Sequence, residues 1–274
     1  VCFIYRRRIL LVLPAVPVAL WIVISGMTDP GLRVTFLDTG MSDGIVIELP
    51  DNRVLVKDTG WRGPQVDNYL RYRGVSHIDA LILSSGEKEH AGGAQRLHDR
   101  FTIGELWDSG YVRYEEPLRA LPRSTLARGM STGGNGWQLT ALHPYKGYSP
   151  DVRSRAKAVN NASLVLRLEG GGASILLTGD IEDEAVSDIL PLGTVLESHV
   201  LQSPRHGMER EGMELLLPVV RPERVVITNR TIPRYAAGSF RDVDVLLTGT
   251  DGAVKIEARE GERVYSSFSD FRLQ

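Results

Sequence analysis

The segment Leu81-Ile82-Leu83-Ser84-Ser85-Gly86-Glu87-Lys88-Glu89-His90-Ala91-Gly92-Gly93 joins an apolar strand pattern to a polar run that ends in two glycines. Sharp turns at strand ends are common places for functional side chains in α/β proteins. Residues 37–44 and 176–180 repeat this design, and Ser203-Pro204-Arg205-His206-Gly207 follows further along the chain. The sequence therefore predicts a site assembled from several strand ends.

The composition excludes several classes of protein. The chain has 274 residues, of which 42% are hydrophobic and 24% charged, so it can bury a core and is not disordered. Its single cysteine, Cys2, excludes an intrachain disulfide and a cysteine-based zinc site. The formal net charge is −2, and residues 1–28 contribute three arginines and no acid. The remaining body is therefore acidic on balance, and any contact with nucleic acid has to be local.

The N-terminal segment has the pattern of a membrane helix. An uncharged apolar run, residues 9–24, follows Arg6-Arg7-Arg8, and a spanning helix needs about 17–25 such residues. We therefore predict a membrane helix within residues 1–28 and an extracytoplasmic body, residues 29–274, because basic residues favour the cytoplasmic side. A signal peptide and a buried helix are the alternatives. The chain begins with Val1, so we expect it to be part of a longer protein.

The pattern after residue 32 is that of a mixed α/β domain, with β-branched runs bordered by turn residues. We predict strands at residues 33–37, 45–49, 54–57, 80–83, 137–142, 163–168, 174–178, 200–202, 225–228, 243–247 and 254–257, and helices at residues 65–73, 92–98, 181–190 and 212–219. Residues 111–136, here called the arginine-rich stretch, show no clear pattern and contain Arg113, Arg119, Arg123 and Arg128. A loop of this length is either functional or a mobile surface segment.

The order of these motifs resembles the metallo-β-lactamase superfamily, and in particular the C-terminal domain of ComEC-type DNA-uptake proteins. The similarity runs from about residue 33 to residue 257 and includes Asp58-Thr59-Gly60, Asn160-Asn161, residues 176–180, Pro204-Arg205-His206-Gly207 and Thr250-Asp251-Gly252. The resemblance implies an α+β fold, an αββα four-layer sandwich with a metal site at the edge of its two sheets. It also implies a preceding membrane helix that is the last of a longer channel protein.

The metal motif departs from the family pattern. Where the superfamily has His-x-His-x-Asp-His, this chain has Ser85, Glu87, Glu89 and His90, and Arg205 replaces the first residue of a His-His-Gly motif. The resemblance therefore implies that the first metal position is lost. It leaves a second metal position with four candidate ligands, Glu89, His90, Asp180 and His206. The two acids among them, Glu89 and Asp180, are also the candidate catalytic residues. Two histidines and two carboxylates can hold one zinc or manganese ion, and an active site, a structural metal and a site without metal all remain open.

Other residues are expected to support this site. By their positions in the motifs, the supporting candidates are Asp58, Asp38, Ser85, Glu87 and Asn161, and the candidate for substrate binding is Arg205. Each also has a structural interpretation, because Asp58 can order a turn, Asp180 can cap a helix and Asn161 can form a turn. The histidines without a supporting motif are expected to be structural: His77, His98, His143 and His199.

Three functions compete. The resemblance favours an extracytoplasmic, nuclease-like domain at a bacterial inner membrane that hydrolyses DNA phosphodiesters with a divalent metal. The alternative is a catalytically degenerate module that serves as a scaffold or DNA guide on the channel. A different hydrolase of the superfamily, such as a lactonase, is disfavoured because those enzymes rely on the complete histidine motif. The expected partners are DNA, the membrane and the remainder of the channel, with the arginine-rich stretch steering the DNA.

Overall fold

Two β-sheets form the centre of the computed structural model, which describes residues 31–150 and 154–268. The strands in chain order are β1 (Leu32–Phe36), β2 (Gly44–Glu48), β3 (Val54–Thr59), β4 (His77–Leu83), β5 (Thr102–Asp108), β6 (Arg123–Thr125), β7 (Ser131–Gly134), β8 (Trp137–His143), β9 (Val165–Gly170), β10 (Ala173–Leu177), β11 (Val200–Gln202), β12 (Arg224–Ile227), β13 (Asp244–Leu247), β14 (Ala253–Arg259) and β15 (Glu262–Phe268). The helices are α1 (Pro64–Tyr72), α2 (Lys88–Ala91), α3 (Ala94–His98), α4 (Arg155–Asn161), α5 (Asp183–Ile189), α6 (Arg210–Val220) and α7 (Thr248–Asp251).

The topology brings many strand ends to one place. The eight-stranded sheet has the order β15-β14-β1-β2-β3-β4-β5-β6, and the seven-stranded sheet has the order β13-β12-β11-β10-β9-β8-β7. Strands β3 to β6 are parallel to one another, and so are strands β10 to β13. Carboxyl ends of parallel strands lie at the same edge of a sheet, where α/β proteins place their sites.

Successive side chains of a strand point to opposite faces of its sheet, so each sheet packs against the other sheet on one face and against helices on the other. In β1, Leu32, Val34 and Phe36 face the other sheet, whereas Thr35 faces outward and hydrogen-bonds to Tyr69 of α1 over 2.9 Å. Buried apolar residues form one cluster between the sheets, a second under α1 and α3, and a third under α5 and α6. The result is an αββα sandwich, in which each large apolar side chain contributes about 1.5–3 kcal/mol by burial.

The mixed α/β fold predicted from the sequence is confirmed, and each strand and helix predicted after residue 32 overlaps an observed one. The arginine-rich stretch was wrongly expected to lack regular structure, because it contains β6, β7 and a 3₁₀ turn, Leu118–Ala120. Strands of three and four residues are too short to show a period. The sequence analysis also missed β5, where Gly104 interrupts the strand pattern and lies against the backbone of Asp79.

The predicted membrane helix, residues 1–28, lies outside the described residues. Within residues 31–150 and 154–268, the structure contains no helix long and apolar enough to cross a bilayer. The division of the chain into residues 1–28 and 29–274 therefore stays a prediction.

His143, expected to be structural, ends β8 in a fully buried position. Its Nε2 atom lies 2.7 Å from the backbone oxygen of Asn161, to which it donates a hydrogen bond. Burial lowers the pKa of His143 to about 4, although the bond to Asn161 opposes this change. The imidazole is therefore neutral in the folded protein at neutral pH.

We expect His143→Gln to make the protein less sensitive to acid. The unfolded chain binds a proton near pH 6.5 that folded His143 does not bind, so the stability that His143 contributes is present above pH 6.5 and is lost as the pH falls toward 4. Between pH 7 and pH 4, the unfolding free energy of the variant should therefore fall by roughly 3 kcal/mol less than that of the wild type. Urea denaturation across this range measures the difference. An unchanged pH profile would contradict the assignment, and His77→Gln, at a half-exposed site, is the control.

Candidate metal centre

Loops from both sheets meet at the edge where the parallel strands end. Asp58 lies at the end of β3, and His90 lies in α2, after β4. From the second sheet, Asp180 follows β10, and His206 lies in the 3₁₀ turn Pro204–Gly207 after β11. Asp43 precedes β2, and all five side chains are buried. The candidate site is thus shared between the two sheets.

The local backbone fits this arrangement closely. A Cβ atom on Gly93 would overlap the backbone of Gly63, so glycine lets α2 and α3 pack against the loop that follows β3. Arg205 and His206 have left-handed φ angles of 47° and 55°, which cost about 1–3 kcal/mol for each non-glycine residue. Such a turn persists only where surrounding contacts hold it, and the bond from His206 to Thr228 described below is one of them.

The centre of the site consists of two histidines and one carboxylate. His90 Nε2 lies 3.2 Å from Asp180 Oδ2, and His206 Nε2 lies 3.5 Å from Asp180 Oδ1. One ligand atom from each of the three residues lies within 4.8 Å of the others. Two donors about 2.0–2.1 Å from a tetrahedral metal lie about 3.3 Å apart, so the observed spacing fits one divalent ion.

The hydrogen bonds of these residues also fit a metal. Among the described residues, neither His90 Nε2 nor Asp180 Oδ1 makes a hydrogen bond, although both atoms are buried. The Nδ1 atom of each imidazole is held from behind, by Asp58 Oδ2 at 3.2 Å for His90 and by Thr228 Oγ1 at 2.8 Å for His206. Metal-binding histidines typically have this arrangement, which orients the ring and leaves the other nitrogen for the ion. His90, Asp180 and His206 can therefore hold a divalent ion.

Asp58 is the support of His90. Its carboxylate accepts hydrogen bonds from Lys57 Nζ at 2.7 Å, from the Ser84 backbone N–H at 2.8 Å and from the Ser84 hydroxyl at 2.7 Å. Burial opposes its ionisation, but the charges of Lys57 and His90 hold the pKa of Asp58 below its ordinary value. Asp58 is thus a buried anion that fixes the ring of His90.

Asp43 is a second buried anion and supports His206. It accepts hydrogen bonds from Gln202 Nε2 at 2.5 Å and from Thr228 Oγ1 at 2.8 Å, and its Oδ1 lies 3.5 Å from His206 Nδ1. Burial opposes ionisation here too, but His206 and Lys57 hold the pKa of Asp43 well below its ordinary value. Asp43, Asp58 and His90 also approach within metal-binding range, but the oxygens of both carboxylates are already engaged by the hydrogen bonds described above.

The carboxylates around the two histidines favour their protonated forms. Burial favours the neutral form of His90, but the charges of Asp180 and Asp58 raise the pKa of His90 well above its ordinary value. Asp180 and Asp43 likewise raise the pKa of His206 against the effect of burial. Because a metal binds the neutral imidazole, protonation of these histidines opposes the binding of an ion.

The structure does not bring all predicted ligands together. Glu89 lies outside the group formed by His90, Asp180 and His206. Its side chain is partly exposed, and its backbone oxygen accepts the N–H of Asp43 at 3.2 Å.

The predicted supporting residues 85 and 87 contact each other. The buried Ser85 hydroxyl accepts the backbone N–H of Glu87 at 3.2 Å, and the Glu87 backbone oxygen accepts the N–H of His90 at 3.0 Å. These contacts shape the entry into α2, on which His90 lies.

Two other supporting candidates make local contacts. Asp38 is partly exposed and accepts the Gly40 N–H at 3.2 Å. Asn161 is fully buried, and its Oδ1 atom accepts the N–H groups of Glu182 at 2.9 Å and Ala185 at 3.3 Å. Asn161 therefore stabilises the start of α5, next to the loop that carries Asp180.

The predicted cations lie in different environments. Arg205 Nη1 lies 3.4 Å from Glu182 Oε1, with 31% of the side chain exposed. In the arginine-rich stretch, Arg123 forms a two-point contact with buried Asp108, and Arg128 donates to backbone oxygens. The other two arginines of that stretch, Arg113 and Arg119, are exposed.

Several buried residues that hold the candidate ligands in place could not be identified from the sequence. Asp43, Gln202 and Thr228 lie within or beside motifs but belong to no recognisable spacing pattern. Lys57 offered one signal, because it is a charged residue at the end of the apolar run 54–56.

The comparisons with solved structures define the fold of the described domain. Igni18, a metallo-hydrolase from the archaeon Ignicoccus hospitalis, matches with a TM-score of 0.53 and 14% identity over 87% of this chain and 99% of that chain. The metallo-β-lactamase fold protein YhfI from Bacillus subtilis matches with a TM-score of 0.52 and 12% identity over 86% and 100% of the two chains. The described domain therefore has the metallo-β-lactamase fold, and identities this low show the fold alone.

Proteins of similar sequence indicate a particular group within this fold. The chain is 28% identical over 229 residues to ComE operon protein 3 of Bacillus subtilis and 30% identical over 211 residues to Recombination protein 2 of Haemophilus influenzae. Each alignment covers 74% of this chain, but only 29% and 25% of those proteins, so the chain spans about a quarter of their length. No protein-family model matches the chain. The resemblance to ComEC-type competence proteins is thereby confirmed.

Proposed function

We propose that this domain is a DNA phosphodiesterase of a DNA-uptake system and uses one divalent ion bound by His90, Asp180 and His206. The observation that carries the proposal is the convergence of two buried imidazole Nε2 atoms on one carboxylate, with both Nδ1 atoms held from behind. DNA is supported as the substrate by the relatives, whose names refer to competence and recombination.

The residues of the centre have separate tasks. A divalent ion at this position supplies Lewis-acid activation of a phosphodiester and of water. His90 and His206 bind it through Nε2, in orientations set by Asp58 and Thr228. Asp180 Oδ1, a buried oxygen without a hydrogen bond among the described residues, accepts the proton of the attacking water. The water oxygen would form a bond to phosphorus while the ester P–O bond breaks, and the leaving oxygen would take up the proton that Asp180 accepted from the water.

Two cations beside the centre suit a phosphate backbone. Buried Glu182 lies 3.4 Å from Arg205 Nη1 and 3.6 Å from Lys157 Nζ, and accepts a hydrogen bond from Asn160 at 2.7 Å. One carboxylate thus holds two partly exposed cations next to the loop of Asp180 and His206. Arginine and lysine in such positions bind phosphate oxygens and make DNA binding dependent on salt.

The test is metal-dependent cleavage by the purified full chain in detergent. We expect about one zinc or manganese ion per chain by elemental analysis, and cleavage of end-labelled DNA that stops when EDTA is added. Single-stranded and duplex substrates are assayed side by side at two salt concentrations, because phosphate contacts weaken with salt. Bound metal without cleavage of either substrate would contradict the phosphodiesterase.

A catalytically degenerate DNA guide is the second candidate. It is favoured by Ser85 and Glu87, which replace two histidines of the family motif and contact each other through the backbone. Such a module binds DNA equally well with and without metal and cleaves none. Salt-dependent binding of fluorescent DNA in EDTA, together with no cleavage in zinc or manganese, would favour this function.

The place of the domain in the cell is part of the same proposal. A helix within residues 1–28 attaches it to a bacterial inner membrane, on the extracytoplasmic side, as part of a longer channel protein. The much greater length of the relatives supports this arrangement. Protease added to spheroplasts should digest the domain, and full protection would contradict the orientation.

A further inference from the structure

Lys57 is a fully buried cation beneath the candidate metal centre. It lies in β3 two residues after Leu55, which packs between the two sheets, so its side chain enters the interior of the sandwich. Lysine is almost never fully buried unless it is paired. An apolar residue would fill an interior position of a strand without the cost of removing a charge from water. Packing alone therefore does not explain a lysine here.

The partners of Lys57 are the supports of the two histidines. Its ammonium lies 2.7 Å from Asp58 Oδ2 and 3.8 Å from Asp43 Oδ2. Asp58 holds the ring of His90, and Asp43 contacts both His206 and the Thr228 hydroxyl that holds its ring. One cation thus contacts both anions on which the orientation of the centre depends.

The charges around the centre make this contact important. Asp43, Asp58 and Asp180 are three buried carboxylates within one small region, and like charges in a low dielectric repel strongly. Lys57 compensates one of these three negative charges, and either the two histidines, when protonated, or one divalent ion can compensate the other two. Without Lys57, a third negative charge would remain buried without compensation.

We propose that Lys57 is a positioning residue and an internal counter-cation, which keeps Asp43 and Asp58 in place and the centre assembled when no metal is bound. The domain then folds before it acquires its ion, unlike small metal domains that are unfolded without metal. The proposal rests on the proposed metal centre for its response to zinc, but its effect on the metal-free protein does not depend on that function.

The experiment compares the thermal unfolding of the full chain in detergent, in EDTA and in zinc, for the wild type and Lys57→Met. Methionine keeps the length of the side chain and removes the charge. In EDTA we expect Lys57→Met to lower Tm by about 10 °C, because it leaves buried carboxylates unpaired. Zinc should raise the Tm of the variant at least about twice as much as that of the wild type, since a bound divalent ion stabilises the folded state and is attracted more strongly to carboxylates that Lys57 no longer compensates.

Two further variants separate charge from packing. Lys57→Met/Asp58→Asn removes one negative charge as well and should recover at least about half of the lost Tm in EDTA, since coupled residues do not act additively. Lys255→Met removes a partly exposed lysine that pairs with Glu257 in β14 and should leave Tm within about 2 °C.

Three results would overturn the proposal. The first is an unchanged Tm of Lys57→Met in EDTA. The second is a loss of Tm in Lys57→Met that is equal with and without zinc and that the double variant does not recover. This result would assign the effect to packing. The third is failure of both Lys57 variants to fold even when zinc is supplied. If the wild type binds no zinc, the proposed function fails, and the EDTA comparison with the double variant still decides the role of Lys57.

Discussion

His90→Ala should abolish stoichiometric metal binding and, with it, cleavage of DNA. His90 is one of the three proposed ligands, and its Nε2 atom lies 3.2 Å from Asp180. Loss of even an outer support of a metal ligand typically costs 10–100-fold in affinity, so loss of the ligand itself should raise the metal Kd by at least about 100-fold. Elemental analysis after dialysis should fall from about one ion per chain to background.

Matched variants identify which group of residues holds the ion. His206→Ala should have the same effect if the ion lies between His90, Asp180 and His206. It should leave binding intact if the ion lies instead between Asp43, Asp58 and His90, the other group of the appropriate spacing. His98→Ala, at a partly exposed histidine outside the site, should keep full metal content. Retained metal in both His90→Ala and His206→Ala would refute the proposed centre.

Asp58→Ala should destabilise the fold by about 3–5 kcal/mol, because it removes one partner of a buried ion pair. The variant leaves Lys57 with only Asp43, at 3.8 Å, and leaves the Ser84 N–H without its acceptor. Urea denaturation in EDTA measures the loss without any contribution from metal. The pKa of Asp58 lies below its ordinary value, so its contribution is present above about pH 4 and is lost only as the pH falls further.

Asp38→Ala is the control for Asp58→Ala. Asp38 also follows a strand of the first sheet, but it is partly exposed and accepts a single hydrogen bond, from Gly40 at 3.2 Å. We expect this change to cost about 1 kcal/mol or less. Equal losses in the two variants would show that the buried pair of Asp58 and Lys57 contributes little to stability.

The sequence predicted the layers of the fold more completely than the partners within the site. Strands such as β1 and β14 could be placed because side chains alternate between the inter-sheet core and the outer layers. His90, Asp180 and His206 could be singled out because each follows a strand end. The position of Glu89 could not be predicted, because adjacent residues on a helix point about 100° apart, and the helix places His90 inward and Glu89 toward the surface.

The support of the centre could not be predicted for another reason. Lys57, Asp43 and Thr228 meet only because two sheets pack face to face, and no spacing along one strand encodes that contact. The arginine-rich stretch shows the same limit. Arg123 has the sequence environment of a free cation, yet its partner, Asp108, belongs to β5, which the sequence analysis missed. Local patterns specify elements, whereas pairings depend on the tertiary arrangement.

The hydrogen bond between Asp43 and Thr228 has a consequence for the order of events during synthesis. These residues are 185 positions apart, and closing so long a loop costs entropy before any contact offsets it. When only strands β1 to β6 have left the ribosome, the nascent chain contains Asp58 and His90 but neither Asp180 nor His206. Capture of the proposed ion would therefore be a late step of maturation, which requires that the second sheet has already packed against the first.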